Sequence, residues 1–326
     1  ENEKVEILYR YIRELKSQGV SIIYISHRLE ELMEICDTVT ILKDGQYVDT
    51  KNISDVDKDM LVSLMVGREV GELYNIEHAE IGPEILEVKN LAAKGMFNDI
   101  SFKLHQGEIL GFAGLVGAGR SEVMRSIFGV EHLDSGEIYI RGEKVQIKSP
   151  RDAIRKGIGF LTEDRRVDGL ALPLSVKVNT NMYSYDAISK AGIINRKKEK
   201  ERAEEYKTKI GVKTPDIEQC VENLSGGNQQ KVVIAKLLCR EPDILIFDEP
   251  TVGVDVGAKQ EIYKIIEMLA KQGKGIILIS SYLPEVMGLS DRMIVMAEGR
   301  ISGVLNKEEI GTITEEDVLR LASTIA

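Results

Sequence analysis

The sequence predicts an α/β fold with a mostly parallel sheet, and three observations support this prediction. Short apolar runs alternate with segments of helical period. A glycine-rich loop joins one apolar run to the helical segment that follows it, and two adjacent acids end another apolar run. The predicted strands are Ile85–Leu91, Ile109–Gly114, Ile158–Leu161, Ile244–Phe247 and Ile276–Ser280, and the predicted helices are Ser121–Phe128, Lys197–Lys209, Gln229–Leu238 and Ala258–Lys271.

The composition is that of a globular protein and excludes several functions. Of the 326 residues 43% are apolar, and the formal net charge of −10 disfavours a dominant nucleic-acid-binding face. Three scattered cysteines without a CxxC pair argue against a disulfide framework or a zinc ribbon. The longest apolar stretch, Ile109–Ala118, is about half as long as a membrane span requires. We therefore expect no membrane span and, given the charged first residues, no signal peptide.

The chain contains an internal repeat. Val5–Thr50 aligns without gaps on Lys259–Val304, a shift of 254 positions, and 14 of the 46 aligned residues are identical. Composition alone would give about three identities. Because the first copy has no counterpart of the residues that lead up to the second, we expect the natural protein to carry two tandem copies.

The repeat and a change in pattern define the expected domains. Residues 67–83 show no clean period and end in Gly-Pro, which is typical of a linker. Residues 1–66 are then the C-terminal part of a first domain, and residues 84–326 form a complete second domain.

The glycine-rich loop has the composition of a phosphate-binding loop. Gly114–Ser121 follows a predicted strand, opens a predicted helix and matches GxxxxGK[ST], except that Arg120 replaces the lysine. Glycines let backbone N–H groups surround phosphate oxygens, and the helix N-terminus adds positive potential. Arginine is a bulkier planar fork than lysine, and a glycine-rich turn packed in a core remains the alternative. The candidate nucleotide-binding residues are Gly114, Gly117, Ala118, Gly119, Arg120, Ser121 and Glu122.

Two acids follow a buried strand at its C-terminal end, where α/β folds bind ligands. Asp248 is predicted to hold Mg²⁺ together with the Ser121 hydroxyl, and Glu249 is predicted to be the general base that activates water. An acidic turn that caps the strand is the alternative.

A third motif, Leu224–Gln230, reads Leu-Ser-Gly-Gly-Asn-Gln-Gln and lies before the acidic pair. Ser225 is placed to cap a helix, and Gly226 and Gly227 leave backbone amides open, so this helix start could hold an anion. An ordinary serine cap with flexible glycines is the alternative.

These three motifs in this order resemble an ABC-type ATPase domain. The resemblance implies a P-loop NTPase with a RecA-like core, an antiparallel β segment and a helical subdomain at about residues 164–235. It further implies two such domains that enclose two ATP molecules, each between the P-loop of one domain and the signature of the other. Ser225, Gly226, Gly227 and Gln229 would then face the partner nucleotide, as would Asp255 in the D-loop.

More narrowly, the chain resembles the tandem ATP-binding subunit of bacterial monosaccharide importers of the ribose/galactose/xylose group. The segments that carry this resemblance are GLVGAGRSE with Arg120, Thr162–Leu170, LSGGNQQKV and Ile279–Glu285. In the last of these segments Tyr282 departs from the family's usual glutamate.

The resemblance predicts that the two nucleotide sites are not equivalent. His27 is the expected catalytic histidine of the first copy, whereas Ser281 occupies the matching switch position of the second. Glu163 stands at the Q-loop position, where most such domains have glutamine. With Arg120, these departures lead to the hypothesis that the second domain's site is degenerate and that the other site, which uses His27 and Ser225, hydrolyses ATP.

The family also implies partners and a location. We expect membrane-spanning permease subunits, an extracytoplasmic sugar-binding protein that acts indirectly, no nucleic acid, and a peripheral position at the cytoplasmic face of the membrane. Residues Asp164–Tyr183 are the expected wall of the groove that receives a permease helix, with an ordinary surface loop as the alternative. The other interpretations are an ABC ATPase without a membrane partner and a nucleotide-binding module with little turnover.

Overall fold

A computed structural model describes residues 2–26, 29–43, 46–66, 74 and 76–323. The chain divides into two compact units. The first unit comprises Glu1–Tyr74 with Asp255–Gln260, and the second comprises Asn75–Val254 with Glu261–Ala326.

Among its described residues before position 75, the first unit contains three α-helices and a two-stranded antiparallel sheet. These elements are α1 (Asn2–Ser17), α2 (Leu29–Ile35), β1 (Thr38–Lys43), β2 (Gln46–Asn52) and α3 (Lys58–Val66). A small apolar core joins them, formed by Leu32, Val39, Ile41, Val56 and Leu61.

One segment of the first unit differs from its repeat partner. Residues 20–26, all of which the structure describes, form no strand, although the matching residues of the second copy form a central one. Ile23 and Ile25 are 93% and 92% exposed, while the corresponding Ile277 and Ile279 are fully buried. The same apolar pattern is therefore buried only where neighbouring strands cover it.

The second unit is built on a six-stranded sheet. Its strands are β5 (Ile109–Gly114), β8 (Ile158–Leu161), β11 (Ile244–Asp248), β12 (Gly275–Ile279), β13 (Arg292–Ala297) and β14 (Arg300–Leu305), in the order β14-β13-β5-β12-β11-β8. All neighbours run parallel except β13 and β14. The alternation of apolar runs and helical segments thus gives the mostly parallel sheet that the sequence predicts.

A second, antiparallel sheet covers part of this core. It has the order β4-β3-β6-β7 and is formed by β3 (Glu84–Ala93), β4 (Phe97–His105), β6 (Ser135–Ile140) and β7 (Glu143–Val145). Side chains of both sheets share one apolar cluster, in which Phe102 packs edge-on against Phe112. This sheet is the antiparallel β segment that the resemblance implies.

Nine α-helices and one short hairpin also lie in the described part of the second copy. They are α4 (Arg120–Ile127), α5 (Pro150–Arg155), α6 (Val176–Asn181), β9 (Ser189–Lys190), β10 (Ile193–Ile194), α7 (Arg196–Ile210), α8 (Gly226–Leu238), α9 (Val256–Lys271), α10 (Leu283–Leu289), α11 (Lys307–Ile310) and α12 (Glu315–Ser323). Helices α6, α7 and α8 pack on one another, and α8 also contacts β8. A five-residue π-helix, Arg165–Gly169, precedes α6.

The described end of the predicted linker, residues 76–83, belongs to the second unit. Glu77 forms an ion pair with Lys271 at 2.6 Å, and His78 lies 2.7 Å from Asp291. Ile76 is buried. No helix within the described residues is both long and apolar enough to cross a membrane.

Candidate functional site

The glycine-rich loop connects β5 to α4 with a backbone that requires glycine. Gly114, Gly117 and Gly119 have φ angles of +154°, +82° and +95°. A Cβ on Gly114 would lie 2.5 Å from the carbonyl oxygen of Met296, whereas one on Gly117 would meet no atom within 4 Å. Close packing therefore fixes the base of the loop, and its tip stays open to a ligand.

Arg120 is the first residue of α4, and its side chain is buried. The guanidinium Nη1 donates a 2.8 Å hydrogen bond to the backbone carbonyl of Ser280, at the end of β12. The arginine that replaces the usual lysine is thus bound to the neighbouring strand end. It remains close enough to Asp248 and Glu249 to favour their charged forms.

Ser121 and Asp248 meet where the loop helix faces the end of β11. The Ser121 hydroxyl donates to Asp248 Oδ1 at 3.0 Å. Burial raises the pKa of Asp248 to about 7, and the charges of Glu249 and Glu163 act in the same direction. A buried carboxylate with this environment, beside a hydroxyl oxygen, offers the hard oxygen ligands that Mg²⁺ prefers.

Glu249 follows directly in a left-handed backbone conformation, with φ of +48°. Its backbone N–H donates to the Ile279 carbonyl at 2.9 Å, which ties the turn after β11 to the end of β12. The Ser281 hydroxyl donates to Glu249 Oε2 at 3.1 Å. Burial also raises the pKa of Glu249, as a general base that works near neutral pH requires.

Glu163 lies just after β8 at the same edge of the sheet. It is exposed, and its negative charge raises the pKa values of both Asp248 and Glu249. The structure therefore brings together residues that the sequence places far apart: Arg120, Ser121, Glu163, Asp248, Glu249 and Ser281.

The signature motif opens α8 with an arrangement that differs in one detail from the prediction. Ser225 occupies the N-cap position, but its hydroxyl accepts a 2.9 Å hydrogen bond from the Asn228 amide and does not cap the helix backbone. The first N–H groups of the helix, from Gly226 onward, keep this end available for an anion. Among the described residues, no hydrogen bond joins Ser225, Gly226 or Gly227 to the glycine-rich loop or to the two acids, Asp248 and Glu249.

Two other predicted site residues, Gln229 and Asp255, are bonded within their own domain. Gln229 is 1% exposed and donates to the Val221 carbonyl at 3.1 Å, so its side chain faces the inside of the domain. The Asp255 carboxylate accepts from the backbone N–H of Ala258 at 2.9 Å, in the first turn of α9. His27 lies outside the described residues.

Sequence reasoning did not anticipate several buried polar contacts next to the site. Glu285 is fully buried and accepts hydrogen bonds from Thr251 and Ser280 at 2.9 and 3.0 Å. Arg165 donates to two backbone carbonyls after the acidic pair. The sequence signal for Arg165 was its position in the segment Thr162–Leu170, but spacing alone does not reveal which carbonyls it reaches.

A known protein family matches the part of the chain that contains these residues. Residues 97–252 match the sequence pattern of the family described as ABC transporter. That range contains the phosphate loop, Glu163, the signature and both acids.

Individual relatives are similar over almost the whole chain. The chain is 49% identical to a putative ribose/galactose/methyl galactoside import ATP-binding protein of Geobacillus kaustophilus, over 98% of this chain and 63% of that protein. It is 48% identical to the ribose import ATP-binding protein RbsA of Bacillus subtilis, over 98% of this chain and 64% of that protein. The chain therefore spans less than two thirds of the length of these curated relatives.

The fold is also that of a solved structure. The protein cbiO1 of Clostridium perfringens, part of an ABC transporter complex, superposes with a TM-score of 0.60 at 24% identity, covering 73% of this chain and 93% of that one. This likeness concerns the fold alone.

Proposed function

We propose that this chain carries an ATP-binding domain of the ABC transporter family, that it binds ATP with Mg²⁺, and that it belongs to an ATP-hydrolysing import subunit. The observation that carries the proposal is the meeting of Ser121 and Asp248 at 3.0 Å, beside the open glycine loop and next to Glu249. A phosphate-binding loop, a metal-binding oxygen pair and a buried general base are the parts that phosphate-anhydride hydrolysis needs.

Each residue group has a distinct role in this proposal. The phosphates are held by the loop amides from Gly114 to Gly119 and by the backbone N–H groups in the first turn of α4, which includes Glu122. Ser121 and Asp248 hold Mg²⁺, which supplies charge neutralisation when it is bound. Glu249 accepts the proton of the attacking water, and its raised pKa suits that task.

The whole protein would power the import of a monosaccharide through membrane-spanning permease subunits. The sugar-import names of the similar proteins from Geobacillus kaustophilus and Bacillus subtilis support this substrate class. In this proposal the protein lies at the cytoplasmic face of the membrane, and an extracytoplasmic sugar-binding protein delivers the sugar. The internal repeat supports a tandem protein in which two ATPase domains pair within one chain.

The nucleotide site of the second domain would be the weaker of the two. Arg120 bonds to the Ser280 carbonyl, so its guanidinium is partly committed before any phosphate is bound. Ser281 bonds to Glu249 but cannot supply the positive charge of an imidazolium. Glu163 adds negative charge at the same edge. Each feature weakens stabilisation of the negative charge that develops during phosphoryl transfer.

Steady-state ATP hydrolysis by the 1–326 chain, with Glu249→Gln as control, tests this proposal. Little or no turnover that depends on Glu249 is the expected result, together with measurable binding of a fluorescent ATP analogue. Clear turnover that Glu249→Gln abolishes would contradict a degenerate second site. Absence of nucleotide binding would contradict the proposed function itself.

The division of labour between the sites has its own test in the tandem protein. We expect His27→Ala to abolish turnover and Ser281→Ala to change it little. Removal of one positioned transition-state contact costs about 10²–10³ in rate, so the two variants are readily distinguished. The reverse outcome would reject the asymmetry.

A further inference from the structure

Arg165 connects the segment after Glu163 to the turn that follows the catalytic acids. Its Nη1 donates to the Val252 carbonyl at 2.6 Å, and its Nη2 donates to the Gly253 carbonyl at 3.0 Å. The contact spans almost 90 positions of sequence and joins two loops at one edge of the domain. A planar guanidinium can bridge two adjacent carbonyls in this way, whereas an ammonium cannot match the same fork.

The guanidinium also lies against the first residue of the signature helix. A Cβ on Gly226 would lie 2.8 Å from Arg165 Nη2 and 2.7 Å from the Gly253 carbonyl oxygen. Gly253 itself has φ of +66°, which favours glycine. The two glycines therefore make room for a three-way contact between the Arg165 side chain, the signature and the turn.

The segment that carries Arg165 is itself held at both ends. The Asp164 carboxylate accepts from the backbone N–H groups of Arg166 and Val167 at 2.9 and 3.1 Å, at the start of the π-helix. At its other end, the Gly169 carbonyl accepts from Nζ of Lys236, which is buried on α8. Short π-helices occur frequently at functional sites. Hydrogen bonds thus join this segment both to α8 and to the turn.

Neighbouring side chains of the same segment point elsewhere. Arg166 and Val167 are exposed, and Val167 has 75% of its surface accessible. Arg166 contributes its backbone N–H to the Asp164 cap, but no side-chain hydrogen bond of Arg166 is found within the described residues. It is therefore a matched control for Arg165, with the same charge at the adjacent position.

We propose that Arg165 is a positioning residue for ATP hydrolysis, which holds the Val252–Gly253 turn and the start of α8 in register with the segment 164–169. This inference rests on the proposed function. In the proposed pairing, the signature and the residues after Gly253 face the nucleotide of the other domain. Arg165 therefore acts on the hydrolytic site of the partner domain, and the phosphate loop of its own domain keeps its affinity.

The test compares Arg165→Ala, Arg165→Lys and Arg166→Ala in two proteins. In the 1–326 chain, a fluorescent ATP analogue should bind all variants with the wild-type Kd, because within the described residues no hydrogen bond joins Arg165 to the phosphate loop. In the tandem protein, Arg165→Ala should lower kcat about tenfold, Arg165→Lys should recover part of that loss, and Arg166→Ala should match wild type. A purely structural role would weaken nucleotide binding and kcat together.

Amide hydrogen exchange gives an independent readout. Arg165→Ala should speed exchange in residues 226–228 and 252–257 of the 1–326 chain, and Arg166→Ala should not. If the alanine variant does not fold, Arg165→Lys carries the test, with a smaller loss of kcat expected in the same direction.

The outcomes separate the inference from its premise. A wild-type tandem protein that hydrolyses ATP, combined with equal kcat for Arg165→Ala and Arg166→Ala, overturns the inference alone. A wild-type tandem protein that neither binds nor hydrolyses ATP overturns the proposed function, and the inference with it.

Discussion

At the residue scale, the buried ammonium group of Lys236 joins α8 to the π-helix. Its ammonium group donates to the Gly169 carbonyl and lies 4.5 Å from the centre of the Tyr183 ring. Both contacts favour the cation, but burial lowers the pKa of Lys236 to about 8. The free-energy cost of burying this charge when the domain folds therefore depends on pH.

Replacement of Lys236 by methionine should reveal that cost. In the unfolded chain lysine keeps its proton up to about pH 10.4, so between pH 8 and that value the unfolded state binds more protons than the folded state. Stability of the wild type should therefore rise with pH in this window. Relative to wild type, Lys236→Met should be about 2 kcal/mol more destabilising at pH 9.5 than at pH 7.

Urea unfolding followed by circular dichroism measures this difference at the two pH values. The exposed Lys198 on α7 provides the control, and Lys198→Met should show no change with pH. An equal cost of Lys236→Met at both pH values would mean that the lysine is as fully charged in the fold as in water.

At the element scale, β5 and α10 pack so closely that a side chain at position 111 would overlap with the residues opposite. A Cβ on Gly111 would lie 2.5 Å from Cγ1 of Val286 and 3.1 Å from Cβ of Ser290. Valine is stiff at χ1 within a helix, so it cannot easily turn away. This contact keeps the strand that ends in the phosphate loop against the helix that follows Ser281.

Gly111→Ala should therefore destabilise the second unit by about 1–3 kcal/mol through overpacking. Gly311→Ala is the comparison, because a Cβ there would meet its nearest atom at an ordinary 3.5 Å and its backbone φ is −69°. Thermal unfolding of both variants checks the prediction. Equal unfolding temperatures would show that β5 and α10 can separate without cost.

The elements that carry the site could be predicted from the sequence, whereas the contacts between them could not. Strands β5, β8, β11 and β12 end close to the predicted positions because continuous apolar runs bounded by polar residues are a local signal. The π-helix and the reach of Arg165 to the carbonyl of Val252 depend on how α8 lies against the turn. Such tertiary contacts leave no period in the sequence. Likewise, the preference of serine for the N-cap position did not predict that the Ser225 hydroxyl would accept a hydrogen bond from the Asn228 amide.

At the scale of the whole molecule, the two copies show what neighbouring strands contribute. Ile25 and Ile279 occupy the same repeat position, yet one is almost fully exposed and the other fully buried. Strand β12 lies between β5 and β11, and the described residues of the first unit include no equivalent of those two strands. The repeat was visible in the sequence, but its unequal burial depends on elements that only one copy includes.

The pair Ile25→Ala and Ile279→Ala tests this contrast with identical chemistry. Ile279→Ala should destabilise its unit by about 2–5 kcal/mol, because it removes buried methyl groups and leaves a cavity. Ile25→Ala in this chain should change stability by less than about 0.5 kcal/mol. Chemical unfolding measures the loss of stability in each variant. Similar losses of stability would mean that Ile25 is covered in solution.

The two copies of the repeat share one side-chain hydrogen bond. The Ser26 hydroxyl donates to Glu31 at 2.8 Å, and the Ser280 hydroxyl donates to Glu285 at 3.0 Å, both pairs separated by five positions. Their counterparts lie 254 residues apart, the same offset as the repeat itself. The residue that follows the serine differs between the copies, with His27 in the first and Ser281 in the second. The repeat thus keeps the hydrogen bond beside the switch position but not the residue at that position.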